Sequence, residues 1–93
     1  MNAARLHSAK TIRLDTVEPP VNPAAGEVII QVEAVGICGS DLHVYADGHI
    51  GSTQLAKPLV LGHEFMGTIS AVGPEATDGH HQPLTVGTRV AVD

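Results

Sequence analysis

The chain is poor in aromatic and sulfur-containing residues. Its 93 residues include no tryptophan, one tyrosine, one phenylalanine and one cysteine. The hydrophobic core must therefore be built from aliphatic side chains. A single cysteine excludes an internal disulfide and favours a reducing compartment. We therefore expect a cytoplasmic protein.

Basic residues and long apolar runs are also scarce. Five Lys and Arg residues stand against ten Asp and Glu residues, which gives a formal net charge of −5. This balance argues against the basic surface that nucleic-acid binding requires. No apolar run approaches the roughly 18 residues of a membrane-spanning helix, and the polar first residues lack the apolar region of a signal peptide. We expect neither nucleic acid nor a membrane as a partner.

Most of the chain shows the two-residue apolar period of β-strands. In Glu27–Val35, the residues Val28, Ile30, Val32 and Ala34 fall on one face, which predicts a half-buried strand. The same reasoning predicts four more strands, at Asn2–Leu6, Thr11–Val17, Phe65–Val72 and Thr88–Val92. The pattern predicts a mostly β fold, either a small barrel or a sandwich.

One short helix and two loops complete the predicted elements. The helix is predicted over Asp41–Ala46 with Ser40 as its N-cap, and the composition of Asp47–Pro58 and of Pro74–Pro83 indicates loops. Arg89–Asp93 resembles a strand without a closing partner. We therefore expect an incomplete part of a larger protein, whose open strand edges pair between chains in a homo-oligomer.

Three residues with metal-binding side chains lie in two separate glycine-containing segments. Cys38 lies in Val35–His43, and His63 and Glu64 lie in Leu61–Gly67. A thiolate, an imidazole and a carboxylate are zinc ligands, and three protein ligands with one open position describe a catalytic zinc site. Ligand chemistry alone leaves open the alternative that Cys38 is a small buried apolar residue.

These segments resemble a known family, the zinc-dependent medium-chain alcohol/polyol dehydrogenases, in its N-terminal GroES-like catalytic domain. Gly36–Asp41 matches the family's Gly-Ile-Cys-Gly-Ser-Asp stretch and its distance to the Gly-His-Glu signature. That signature is met in full by Gly62, His63, Glu64, Gly67, Gly73 and Ala76. The resemblance covers essentially the whole chain and is strongest to the sorbitol and threonine dehydrogenase branch. It implies a GroES-like small barrel with one short helix, as part of a larger two-domain enzyme.

The resemblance implies a catalytic zinc held by Cys38 and His63, with Glu64 as a ligand or directly behind the metal. Adjacent residues on a regular strand point to opposite faces. Both His63 and Glu64 can reach one ion only if the backbone leaves the strand ladder, which Gly62 makes easy. Asp41 matches a residue that fixes the ring of the histidine ligand. It is equally compatible with a favourable acid in the first turn of a helix.

The resemblance also implies NAD(P)-dependent oxidation of a small alcohol or polyol, through a zinc alkoxide and hydride transfer to nicotinamide. Ser40 would accept the alcohol proton and His43 would deliver it to water, since the two lie three residues apart on a helix. Ser40 as a simple N-cap is the alternative. Tyr45, His49 and Phe65 lie where family members line the substrate cleft, although each is equally compatible with a packing or loop role.

The sequence contains no Gly-x-Gly-x-x-Gly motif of a dinucleotide site. We therefore expect NAD(P) to bind only in a full-length enzyme, and these 93 residues to be inactive alone. The alternative is a GroES-like binding or assembly module without catalysis. A zinc-free quinone-reductase relative is a third reading, which the cysteine and the Gly-His-Glu signature oppose. The adjacent His80 and His81 are predicted to lie in an exposed insertion rather than a metal site.

Overall fold

The computed structural model describes residues 1–50 and 53–93, which are mostly strands with one short helix. The elements are β1 (Asn2–Ser8), β2 (Thr11–Thr16), β3 (Val28–Gly36), α1 (Gly39–Asp47), β4 (His49–Ile50), β5 (Thr53–Gln54), β6 (Leu59–Val60), β7 (Glu64–Val72) and β8 (Arg89–Val92). The mostly β prediction is confirmed. Part of the predicted loop over Asp47–Pro58 lies outside the described residues. The described helix is far too short to cross a bilayer.

The described residues form two units, each discontinuous in sequence. The first unit contains Met1–Glu18 and Gly36–His63, and the second contains Pro19–Val35 and Glu64–Asp93. The first therefore carries β1, β2, α1, β4, β5 and β6. The second carries β7, β8 and nearly all of β3.

Leu6 is the centre of the sheet in the first unit. The strand order is β2-β1-β6, with β1 antiparallel to both neighbours. Leu6 is 1% exposed and pairs with Ile12 on one side and Leu59 on the other. Burying a leucine side chain contributes about 2 kcal/mol to folding. The predicted first two strands are confirmed, and β1 runs to Ser8 because the connecting turn is tight, with Lys10 at φ 59°.

A partly buried carboxylate, that of Asp15, links β1 to β2. The Asp15 carboxylate accepts a hydrogen bond from the Arg5 guanidinium at 2.8 Å and lies 2.6 Å from the His7 ring. The hydrogen bond with His7, followed by that with Arg5, holds the pKa of Asp15 below its ordinary value of 3.8. These contacts add polar cross-strand pairs to the β1–β2 ladder.

The helix begins earlier than predicted, and Ser40 as its N-cap is wrong. Cys38 is the N-cap, with an extended backbone at φ −111° and ψ 169°. The carboxylate of Asp41, three residues later, accepts a hydrogen bond from the Cys38 backbone N–H at 3.1 Å. This contact, from the third helical residue back to the N-cap, is one half of a capping box and satisfies a donor at the helix start. The position of the acid therefore decides where the helix begins.

The other end of α1 is fixed against the β1–β2 turn. The Lys10 backbone N–H donates to the Tyr45 carbonyl at 2.7 Å. Gly48 ends the helix in the left-handed conformation at φ 73°, and its N–H donates to the Val44 carbonyl at 2.8 Å. A Cβ on Gly48 would come within 2.9 Å of the Ala9 nitrogen. The helix is thus held at both ends within one unit.

The second unit has the strand order β3-β7-β8, around a small core of Ile69 and Ala76. β7 and β8 are antiparallel, as the predicted strands allow. Glu33 on β3 accepts hydrogen bonds from Thr68 at 2.7 Å and from Arg89 at 3.1 Å. One carboxylate therefore links all three strands on an exposed face.

The predicted half-burial of β3 is wrong along most of the strand. Val28 to Ile30 are partly buried, whereas every residue from Gln31 onward is exposed, including Val32 at 45% and Val35 at 54%. Alternation places apolar side chains on one face, but burial also requires atoms packed against that face. The described residues supply such atoms only at the beginning of β3.

Two glycines of the Gly-His-Glu signature allow close backbone approach in the second unit. A Cβ on Gly67 would overlap the carbonyl oxygen of Gln31, and a Cβ on Gly73 would overlap that of Ala24. Both obstacles are backbone atoms, which cannot move aside as the end of a flexible side chain can. At these positions glycine is required by packing rather than by its torsion angles.

Pro74–Pro83 is a loop, as predicted, and its only described pairing is the bridge between Thr77 and Pro83. The Asp78 carboxylate accepts hydrogen bonds from the backbone N–H groups of His80 at 2.7 Å and Gln82 at 3.0 Å. The hydrogen bond from Gln82, followed by that from His80, keeps the pKa of Asp78 below its ordinary value of 3.8. His80 and the adjacent histidine are exposed.

Candidate metal centre

The first unit brings together the cysteine and the histidine of the two glycine-containing segments. The Cys38 Sγ atom lies 3.3 Å from His63 Nε2. Cys38 stands at the N-cap of α1, and His63 occupies a bend directly before β7. Their side chains meet because the start of α1 and the bend at His63 lie next to each other in this unit.

Gly62 gives the bend its shape. Its φ of 107° lies in a region that side chains rarely adopt. His63 consequently lies outside the strand, and β7 starts at Glu64. The expected departure of the backbone from the ladder is present at His63.

Asp41 contacts both partners of this pair. Its side chain is 12% exposed, one oxygen accepts the Cys38 backbone N–H, and the other lies 3.5 Å from His63 Nδ1. A carboxylate at Nδ1 favours the proton on that nitrogen, which leaves the lone pair of Nε2 directed at Cys38 Sγ. The predicted contact of Asp41 with the histidine ring is therefore present in the structure.

The donor atoms have a spacing suited to a small thiophilic ion. Ligand atoms of Cys38, Asp41 and His63 all lie within 4.8 Å of one another. Zinc bonds of about 2.3 Å to sulfur and 2.0–2.1 Å to nitrogen, at a tetrahedral angle, separate the two ligand atoms by about 3.6 Å. The observed 3.3 Å differs by a few tenths of an ångström. A thiol, an imidazole and a nearby carboxylate thus fit zinc in both chemistry and spacing.

Glu64 belongs to the other unit. It is the first residue of β7 and its side chain is exposed. The carboxylate that joins the cysteine and the histidine in the first unit is that of Asp41. Coordination by Glu64 therefore stays a prediction.

The two residues predicted to carry a proton lie on α1. Ser40 Oγ lies 2.9 Å from Cys38 Sγ and is exposed. His43, also exposed, follows three residues later. No direct hydrogen bond joins Ser40 to His43 in the part of the chain that the structure describes, so a proton passing between them needs a bridging water.

A cleft of about 260 Å³ adjoins the three-residue cluster within the first unit. It is lined by Ser40, Asp41, Val44, Leu59, Val60, Leu61, Gly62 and His63. The apolar members of this set were not predicted from the sequence. Two signals were present: Val44 follows Ser40 by four residues on a helix, and an apolar run directly precedes the Gly-His-Glu signature.

The three predicted cleft residues lie elsewhere. None of Tyr45, His49 and Phe65 lines this cleft. The Tyr45 hydroxyl lies 3.5 Å from the Lys10 carbonyl, and Phe65 pairs with Val92 in the second unit. His49 Nδ1 is buried without a hydrogen-bond partner among the described residues.

Comparison with known families gives a match over most of the chain. Residues 24–93 match the family model of the alcohol dehydrogenase GroES-like domain. The match includes Cys38, Asp41 and His63.

Curated relatives and solved structures agree with this match. The chain is 46% identical to a sorbitol dehydrogenase of Bacillus subtilis over 94 residues, covering 100% of this chain and 25% of the relative. It is 42% identical to a D-xylulose reductase of Scheffersomyces stipitis over 88 residues, covering 95% of this chain and 23% of the relative. The structure of an Escherichia coli oxidoreductase/dehydrogenase of unknown specificity superposes with a TM-score of 0.80 at 35% identity, covering 99% of this chain and 25% of that protein. The chain thus spans about a quarter of the length of these relatives.

Proposed function

Because this chain belongs to the alcohol dehydrogenase GroES-like domain family, we propose that it forms the zinc-holding part of an NAD(P)-dependent alcohol or polyol dehydrogenase. The observation that carries the proposal is the 3.3 Å contact between Cys38 Sγ and His63 Nε2 beside the Asp41 carboxylate. The donor types and their spacing match a site with an open position, as catalytic zinc requires.

Each residue of the cluster has a proposed task. Cys38 and His63 hold the ion, and Asp41 orients the His63 ring through the Nδ1 side of the imidazole. Glu64 supplies a further carboxylate to the ion or lies behind it. A bound zinc ion would supply Lewis acidity that makes an alcohol easier to deprotonate near neutral pH.

Ser40 and His43 carry the proton away in this proposal. The Ser40 hydroxyl lies close enough to the thiol to contact a molecule held at the cluster. It accepts a proton and passes one on through water to His43. His43 is exposed and releases the proton to solvent.

The remaining parts of the proposal concern the whole enzyme. The hydride acceptor NAD(P) binds in sequence other than these 93 residues, which therefore do not turn over substrate alone. We also propose that the protein is cytoplasmic and forms a homo-oligomer through open sheet edges. β8 is one such edge, since it pairs only with β7 among the described strands.

Metal stoichiometry tests the proposal directly. The purified chain is expected to bind one zinc ion, measured by calorimetry and elemental analysis. Cobalt substitution should give the thiolate-to-metal absorption band of a cysteine ligand. Cys38→Ser should abolish that band and His63→Gln should weaken binding strongly, whereas the exposed control His80→Ala should leave both unchanged.

The same experiment separates the two candidate functions. The alternative, a non-catalytic assembly module, would take up no zinc at this site. Uptake that is unaffected by Cys38→Ser, or tight uptake of two ions, would contradict the proposed centre.

A further inference from the structure

We propose that the outer edge of β2 pairs with β2 of a second copy of this chain, which joins two three-stranded sheets into one. The inference rests on the homo-oligomer of the proposed function, gives it a surface, and does not depend on the metal centre. Among the described strands β2 pairs only with β1, so its other edge has no partner. The strand lies entirely in the first unit. The expected sheet order is β6-β1-β2, continued by β2-β1-β6 of the second copy.

Backbone hydrogen bonds fix which residues of β2 face this open edge. The Met1 amino group donates to the Val17 carbonyl at 2.9 Å, and the Val17 N–H donates to the Met1 carbonyl at 2.8 Å. In an antiparallel ladder, such hydrogen-bonded pairs alternate with pairs whose backbone groups point away from each other. Along the observed register, the pairs that point away contain Ile12, Leu14 and Thr16. The N–H and C=O groups of these residues are therefore directed at the open edge.

The charges of β2 select one register for this pairing. A two-fold axis through Leu14 places Leu14 opposite its own copy and Ile12 opposite Thr16 of the second copy. The outward-facing backbone groups then meet each other and exchange hydrogen bonds. In the same register Arg13 lies opposite Asp15 of the second copy, on both sides of the axis. A shift by two residues in either direction would oppose Arg13 to Arg13 or Asp15 to Asp15, which the repulsion of like charges disfavours.

The charged side chains of β2 are incompletely paired within one chain. Arg13 is exposed, lies directly opposite Arg5 in the β1–β2 ladder, and makes no ion pair with any described residue. Asp15 binds Arg5 and His7 through the same oxygen, Oδ2, which leaves Oδ1 without a hydrogen-bond partner in the described part of the chain. The second copy supplies an acid for Arg13 and a further donor for Asp15.

Apolar side chains on the other face of β2 fit the same register. Leu14 is 71% exposed and Ile12 is 51% exposed. In the two-fold arrangement the two Leu14 side chains contact each other, and each Ile12 lies beside Thr16 of the second copy. Six residues per copy bury less than the roughly 1,200 Å² of a stable interface, so we expect a dimer that depends on concentration. The pairing occupies this edge in both copies and therefore adds no third chain.

Analytical ultracentrifugation of the complete chain tests the association. We expect a dimer that forms reversibly between roughly 0.01 and 1 mM and weakens at high salt, because the ion pairs are exposed. Arg13→Asp should raise the dimer dissociation constant about tenfold or more, since it opposes carboxylates on both sides of the axis. Within one chain the same change places an acid opposite Arg5, so the sheet should be retained, as circular dichroism would report. Lys57→Asp, an equal change of charge at an exposed residue outside β2, should leave the constant within about twofold.

Engineered cysteines test the register. Under mild oxidation, Leu14→Cys should give a disulfide-linked dimer, because opposite residues of a hydrogen-bonded pair have Cα atoms about 5.5 Å apart. The matched control is Ile12→Cys, on the same face of the same strand. Position 12 of one copy lies four residues along the strand from position 12 of the other, about 13 Å, which a disulfide cannot span. Peptide mapping by mass spectrometry distinguishes these links from any that involve Cys38.

The outcomes separate this inference from the proposed function. A chain that stays monomeric at about 1 mM overturns both the β2 pairing and the proposed homo-oligomer. An unchanged dissociation constant in Arg13→Asp, or a cross-link at position 12 instead of position 14, overturns the β2 pairing while the homo-oligomer stands. Zinc uptake is measured on the same preparations, and its absence overturns the metal centre alone.

Discussion

Replacing Asp41 by alanine tests the arrangement of the candidate site most directly. The change removes two contacts at once: the acceptor for the Cys38 backbone N–H at 3.1 Å and the carboxylate 3.5 Å from His63 Nδ1. It therefore acts on the start of α1 and on the orientation of a proposed zinc ligand. The two effects have different readouts.

The magnitudes follow from the contacts. Loss of one hydrogen bond at the helix start should lower the free energy of unfolding by about 1 kcal/mol. Loss of the group that orients a metal-bound histidine typically weakens metal binding about 10–100-fold. Asp41→Asn keeps an oxygen that can satisfy one of the two donors, so we expect intermediate values for both quantities.

The assay combines zinc competition against a chromophoric chelator with urea unfolding followed by far-ultraviolet circular dichroism. Asp47→Ala is the matched control, since Asp47 ends the same helix. It should leave zinc affinity unchanged and slightly raise stability, because an acid at a helix C-terminus opposes the helix dipole. Zinc affinity within twofold of the parent in Asp41→Ala would refute the reasoning, and complete loss of uptake would indicate that Asp41 is itself a ligand.

Two further predictions concern packing and pH. Gly67→Ala should lower the free energy of unfolding by about 3 kcal/mol or more, because its Cβ would overlap a backbone oxygen of β3. The control Gly79→Ala, with open space around it, should change the free energy of unfolding by less than about 0.5 kcal/mol. Equal effects of the two variants in urea unfolding would contradict this explanation. His7 and Arg5 lower the pKa of Asp15 in the folded state, so their stabilisation is present above about pH 3.8 and disappears as the pH falls through the lowered pKa. Asp15→Asn should therefore destabilise the chain at pH 6 and match the parent in strong acid; a stability difference that grows in acid would contradict the assignment.

The longer strands were predictable because the apolar period extends over many residues. β1, β2, β3, β7 and β8 all lie within one or two residues of their predicted bounds. The two-residue strands were missed, since two residues carry no period. The N-cap was misassigned for a related reason: Ser40 has the better capping side chain in isolation, but the carboxylate of Asp41 closes on Cys38.

The candidate site was predictable in its residue types but not in its arrangement. Cys38, His63 and Asp41 were singled out from two short segments, and the structure brings all three within 4.8 Å. The resemblance to the alcohol dehydrogenase family identified the candidate metal ligands far more specifically than ligand chemistry alone. The roles of Glu64, Ser40 and His43 stay predictions.

The amino-acid sequence by itself determined the strand content, the glycine positions and the set of metal-binding side chains, since these depend on local period and residue chemistry. Tertiary structure alone decided which atoms meet. The cleft of Val44 and the aliphatic residues before Gly62 exists because separate segments of the first unit pack together. The exposure of β3 likewise depends on what packs against its apolar face, and no period within one strand contains that information.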